Sequence, residues 1–208
     1  MHIVDGALSH GVVVAGAVLA AGGIAMGLRK LPMEKIPAAG VLSASFFVAS
    51  LIHVPIGPSS VHLILNGLAG LVLGWAAFPA LFVGLLLQTI FFGFGGLTVL
   101  GVNTVNIALP AVAVYYLCRS GLAARSPVVA AVVGGIGGAL SIVFTTLLVG
   151  LSLAMSGEEF VPAAKLVFFA HIPVMAIEGI LTGFAVYLAR KVKPELFIGL
   201  QASSESVA

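Results

Sequence analysis

Charge is what this chain has least of. Only 8% of its 208 residues are charged, nine basic and seven acidic, too few to solvate the surface of a water-soluble domain of that length. Its one cysteine, Cys118, excludes an intramolecular disulfide framework and any multi-cysteine zinc or iron–sulfur site built by this chain alone, which leaves packing as its role. No Lys or Arg precedes the first hydrophobic run, which opens "MHIVDGALS", whereas a secretory signal starts with basic residues. The glycine-rich stretches "GFGG" at 93–96 and "GGIGG" at 134–138 lack the G-x-x-x-x-G-K-[ST] pattern of a phosphate loop. No nucleotide is therefore expected on this chain, and close helix packing is the expected role of both stretches. Neither G-x-S-x-G nor H-E-x-x-H occurs, which counts against an intramembrane hydrolase.

What is present is apolar: 61% of the residues, with 26 glycines and a mean hydropathy of +1.23. That composition fits an all-α integral membrane protein, each crossing taking roughly 20 residues. Apolar runs between breakers predict a single bundle of seven transmembrane helices near 8–28, 37–54, 59–76, 78–97, 103–118, 127–154 and 161–190. Pro37, Pro110 and Pro173 fall inside these runs as expected kinks. Ala17 with Ala21, and Gly40 with Ala44, suggest faces of close helix approach, inside the bundle or against a partner.

Basic residues collect in cytoplasmic loops. With the N-terminus outside, the cytoplasmic joints hold Arg29, Lys30, Lys35, Arg119, Arg125, Arg190, Lys191 and Lys193, against Lys165 alone on the outer side. This places the C-terminus in the cytoplasm. The pI near 8.9 then reports topology, and no nucleic-acid partner is inferred from it. Residues 1–194 form the membrane domain, and 195–208 a mobile cytoplasmic tail.

The N-terminus itself is a candidate chelator. The Met1 amine and the His2 backbone nitrogen close a five-membered ring on a metal, and that nitrogen with His2 Nδ1 closes a six-membered one. Such an array suits Ni(II) or Cu(II), with Co(II) also possible, and it wants a fourth ligand. Read from these two residues alone, "MH" is more readily a translation start followed by a solvated end. Among the remaining histidines, His62 is the best candidate for the fourth position. It follows the breakers Gly57 and Pro58, with Ser59 or Ser60 expected to cap a helix and His62 in its first turn. The alternative is a polar interfacial residue satisfied by a carbonyl. His10 and His53 read as interfacial bystanders. His171 and Glu178 lie within the seventh crossing, about 10 Å apart by helical rise. They read either as part of an ion path or, the reading favoured here, as anchors of a structural hydrogen-bond network.

The stretches "MHIVDGAL", "GPSSVHLILNGLAGLVLGWAAFPA", "LLLQTIFFGFGGLTVLGVNTVNIALP" and "HIPVMAIEG" resemble, over nearly the whole chain, the substrate-capture membrane subunits (CbiM and NikM) of energy-coupling-factor transporters for cobalt and nickel. The resemblance implies that the N-terminal loop, residues 1–7, tucks into the bundle. It also implies metal ligation by the Met1 amine, the His2 amide nitrogen, the His2 imidazole and His62. Co(II) or Ni(II) is then the bound substrate, and "SSVHLILNG" looks more like cobalt-type members, which would link the chain to cobalamin biosynthesis. Gln88-Thr89 departs from the family's usual Gln-Ala without touching the ligand set. Asn103, in "GVN", is expected to hold the N-terminal loop, and Asp5 to help fold it back. The implied partners are a transmembrane coupling subunit, paired cytoplasmic ATPases and a small accessory membrane subunit, all at a bacterial inner membrane. Nickel uptake by the same site, or a stand-alone permease, are the alternatives. The chain lacks the His/Asp-rich helix motif of the well-known nickel–cobalt permeases.

Overall fold

A computed structural model of the chain describes residues 2–51, 53–56 and 58–197. Within them lie eight α-helices: α1 (His10–Arg29), α2 (Ile36–Ala49), α3 (Asn66–Leu73), α4 (Ala77–Phe92), α5 (Leu100–Leu122), α6 (Pro127–Ala154), α7 (Val161–Ala170) and α8 (Ile172–Val192). A hairpin of β1 (His53–Ile56) and β2 (Ser59–His62) separates α2 from α3. Its strands pair antiparallel, with His53 opposite His62 and Ile56 opposite Ser59.

The burial pattern is that of a protein solvated by lipid. Asn66, Thr104, Ser141, Thr145, His171, Glu178 and Thr182 are fully buried, while Val18, Ile90, Phe91, Leu117, Ile180 and Val192 stand on the outside, each more than 60% exposed. Lipid matches apolar side chains, so the bundle interior is where polar groups find partners. Asn66 shows this: its Nδ2 donates to Ile107 O and Thr145 Oγ1, and its Oδ1 accepts from Ser141 Oγ.

Five segments are long and apolar enough to cross a membrane: His10–Arg29, Asn66–Phe92, Leu100–Leu122, Pro127–Ala154 and Ile172–Val192. The second is not one rod. Asn66 bonds Ile107 and Gly70 lies against Ala111, so α3 runs beside α5 in the same direction. Gly74, at φ 57° and ψ −126°, then reverses the chain. α4 returns, with Phe78 against Gly23 and Pro79 against Gly27 of α1. The central helix α5 packs on α1, α3, α4 and α6, and α8 lies along α6.

Several sequence expectations need correction. The run expected to be helical from 59 starts as β2, because Val54, Pro55, Pro58 and Val61 disfavour helix and Pro55 has no N–H to donate. His62 is therefore in a strand, and Ser59 and Ser60 cap nothing. The run at 161–190 breaks at His171, with Pro173 entering the first turn of α8. Pro37 likewise opens α2, which leaves Pro110 as the interior proline of the three. α1 packs through Gly16, Ala20, Gly23 and Gly27, and the backbone of Ala17 lies close against Gly101 of α5; the side chains of Ala17 and Ala21, like Gly40 and Ala44, are exposed on this chain. Added methyl groups at Gly16 and Gly23 would meet Val102 and Phe78 at 2.3 and 2.4 Å. The expected tail is folded at its start, where Pro194–Phe197 makes a 3₁₀ turn and Phe197 is fully buried; residues 198–208 lie outside the described residues.

Other expectations hold. Gly134, Gly135 and Gly138 face Val186, Gly179 and Thr182 of α8 in a close helix contact, and Cys118 is buried against Gly137. The basic joints gather at one end of the bundle: Lys30 lies over Trp75, Lys35 Nζ donates to Val72 O at 2.9 Å, and Arg190 donates to Ala124 O at 2.6 Å. The N-terminal segment, the hairpin and the α4–α5 loop occupy the other end.

Candidate metal centre

At that end the first residues of the chain run as an extended segment between the hairpin and the α4–α5 loop. Val4 N–H donates to Pro58 O at 3.2 Å on one side, and Asp5 N–H donates to Gly95 O at 3.0 Å on the other. Between them Ile3, fully buried, is clamped by one side chain: its N–H donates to Asn103 Oδ1 at 2.9 Å, and Asn103 Nδ2 donates to its carbonyl at 3.1 Å. An amide side chain carries both a donor and an acceptor, so it can complete a backbone residue as a neighbouring strand would. Asn103 reaches this position from the first turn of α5. Asp5 accepts from Thr98 Oγ1. These bonds pin the segment at both ends, and His2 is consequently 3% exposed.

His62, at the end of β2, is also 3% exposed, and its ring stacks on that of His2 with centroids 4.7 Å apart and planes 25° apart. Phe94 lies against the other ring at 6.0 Å. His62 Nδ1 is 2.7 Å from Leu63 O. A carbonyl can only accept, so Nδ1 carries the proton and Nε2 the lone pair, the tautomer a metal ligand needs. Burial pushes the His62 imidazolium well below the usual histidine range and thus favours the neutral ring. His2 N–H donates to Ser60 Oγ at 3.4 Å, a long bond that leaves this nitrogen outside any ladder or helix. A cavity of about 180 Å³, lined by His2, Ser60, Phe94 and Gly95 among others, opens beside the pair.

Among the described residues no group of three or more His, Cys, Asp or Glu side chains is placed to hold a metal ion. Ligation of one ion by both imidazoles requires the rings to rotate out of their stack. Met1 lies outside the described residues, as does the side chain of His53. His10 is exposed at the start of α1 and takes no part. His171, fully buried, bonds Val167 O through Nδ1 at 2.7 Å.

Three contributors were missed in the sequence. "GFGG" is not a helix-packing element: it is the loop that receives the N-terminal segment, with Gly93, Gly95 and Gly96 at φ 67°, 78° and 137°. Thr98 draws no notice in the sequence, and Ser60, expected to cap a helix, instead accepts from His2 N–H. A glycine cluster directly after an apolar run and before Thr98 was the available signal, since only glycine enters such angles cheaply. Asn103→Leu, which strands both polar groups of Ile3, is expected to weaken metal binding about 10–100-fold, as loss of a ligand's support typically does. Calorimetric titration of folded variant and parent checks this.

The profile of a family described as the cobalt uptake substrate-specific transmembrane region, CbiM, matches residues 2–196. A Haemophilus influenzae protein provisionally named for metal transport is 44% identical over 203 residues, spanning 94% of this chain and 96% of its own length. The fused nickel transport protein NikMN of Rhodobacter capsulatus is 42% identical over 92 residues, 41% of this chain and 26% of its own length. A crystal structure of a transition metal transporter superposes with a TM-score of 0.75 at 28% identity, covering 100% of this chain and 99% of that one.

Proposed function

Because the chain belongs to the CbiM family of cobalt uptake transmembrane regions, we propose that it captures Co(II) through the Met1 amine, the His2 amide nitrogen, the His2 imidazole and His62. At the coarser level it is a multi-pass membrane protein of cobalt and nickel uptake, a transporter rather than an enzyme. The observation that carries the finer reading is the His2–His62 pair. Residues 60 positions apart meet at 4.7 Å in a buried pocket, with the intervening support built from named hydrogen bonds. Two fused chelate rings plus one imidazole supply four nitrogens, a set suited to a tetragonal ion.

In this reading the N-terminal end of the bundle faces outward and the basic end faces the cytoplasm, in keeping with the distribution of Lys and Arg. The chain crosses seven times: the five long segments make six with α3, entered through the hairpin, counted apart from α4, and α2 is the seventh. It acts as the capture subunit of an energy-coupling-factor importer in a bacterial inner membrane. A separate transmembrane subunit, with an accessory membrane subunit, couples it to paired cytoplasmic ATPases, and the imported cobalt serves cobalamin synthesis. Nickel is the second reading, favoured by the nickel transport relative; nitrogen ligands serve both ions.

Proton release tests the reading. The amine titrates near pH 8 and must lose its proton to ligate, and the His2 amide proton is displaced outright. Affinity should therefore rise with pH through the amine's range and fall in acid. Titration with Co(II) and with Ni(II) in two buffers of different ionisation enthalpy should show one-to-one binding with net proton release. Binding without proton release, or no binding, would overturn the proposed ligand set.

A further inference from the structure

The loop that carries His62 into α3 is held by a residue from the far end of the chain. Glu178, fully buried in the second turn of α8, turns one carboxylate oxygen to two successive backbone N–H groups. Ile64 N–H donates to Oε1 at 2.5 Å and Leu65 N–H at 2.8 Å. Leu65 stands at φ 55° and ψ 19°, the left-handed region a leucine rarely enters. Consecutive N–H groups turned to one side in this way form a concavity for an anion, and the carboxylate occupies it. The other oxygen, Oε2, has no hydrogen-bond partner among the described residues. What removal of the carboxylate strands is therefore these two N–H groups.

The Ile64 N–H and the Leu63 carbonyl belong to one peptide unit, and that unit is planar. Its carbonyl is the acceptor that fixes the His62 ring through Nδ1. On one edge of the plane sits a buried carboxylate, and on the other the imidazole. Pulling on the N–H polarises the carbonyl, which strengthens the bond to Nδ1–H and makes Nε2 a better donor to a metal. Direct carboxylate–histidine–metal arrangements act the same way, without the intervening peptide. We propose that Glu178 is a positioning residue for metal capture, acting on His62 through the 63–64 peptide as a carboxylate–peptide–imidazole relay. The proposal rests on His62 being a ligand, as argued above.

A helix-capping role alone would predict lost stability with an unaltered metal complex, so the readout must be the complex itself. Ni(II) is titrated into the parent, Glu178→Gln, Glu178→Leu, His62→Ala and the two double variants, each shown folded by size exclusion and thermal unfolding in detergent. Affinity and the d–d absorption band are recorded. Glu178→Leu should bind about 10–100-fold more weakly, with the band displaced to lower energy in the direction His62→Ala displaces it. Glu178→Gln keeps an acceptor oxygen and should show a smaller loss in the same direction. On the His62→Ala background neither substitution should cost anything further. If Glu178→Leu does not fold, Glu178→Gln alone and with His62→Ala decides the question. Unchanged affinity and band in the folded Glu178 variants, or losses that add in full to that of His62→Ala, would overturn the relay while leaving the ligand set intact. An unchanged complex in His62→Ala itself would overturn both.

Discussion

One residue added before Met1 should abolish tight metal binding and leave the bundle folded. The extension touches no side chain. It converts the amine, a ligand, into a peptide nitrogen, which can ligate only by giving up its amide proton. A structural zinc site of four ligands is worth roughly 10–16 kcal/mol; on that scale one ligand carries about 3 kcal/mol, and its loss costs on the order of a hundredfold in affinity. Steric exclusion adds to this, because His2 is already 3% exposed and the added residue must either force the pocket open or leave it. The bundle should not register the change: its core runs through α3, α5 and α6, and the segment joins it through Ile3 and Ala7. Titration of extended and native protein with Co(II) checks the first half, thermal unfolding the second. Binding that survives extension would move the site away from the N-terminus.

Gly96→Val should release the N-terminal segment without altering any ligand. Gly96 adopts φ 137°, and a Cβ there would lie 2.0–2.3 Å from the Asp5 carboxylate, closer than any real contact. The carboxylate must move, which breaks the Thr98–Asp5 bond and pulls against the Asp5–Gly95 backbone bond. The segment that positions His2 then loses its anchor at residue 5. Metal affinity should drop by about 100-fold, the upper end of the range for lost ligand support. Gly93→Ala is the matched control. At φ 67° and with nothing within 4 Å of its Cβ, it carries only the left-handed penalty of about 1–2 kcal/mol in stability and should bind as the parent does. Equal losses in the two variants would mean that the loop acts through its own folding and not through Asp5.

Much of this protein was legible as sequence. Composition alone implied a lipid-solvated bundle, because so few charges leave no other solvent. The uneven spread of Lys and Arg along the chain anticipated the end of the bundle at which they collect. The chelating capacity of "MH" follows from covalent geometry within two residues and needs no fold at all. The small-residue pattern of "GGIGG" announced the α6–α8 contact, since lipid-embedded helices approach closely only where side chains are small.

What the tertiary structure decided is which distant backbone groups meet. The reversal at Gly74 looked in hydropathy like the joint between two ordinary crossings, and it makes α3 a short arm of eight residues beginning deep in the bundle. The hairpin before it was hidden within an apolar run, because hydropathy does not separate strand from helix in short stretches. Asn103 reaching Ile3, Glu178 reaching Ile64, and Gly95 and Gly96 cradling residues 2–5 join positions some 90 to 114 apart. Their chemistry lies in main-chain N–H and C=O groups that every residue possesses, so side-chain identity at either partner carries little trace of the pairing. Local chemistry is written in residue type; the support that makes it a site comes from backbone groups whose partners exist only once the chain has folded.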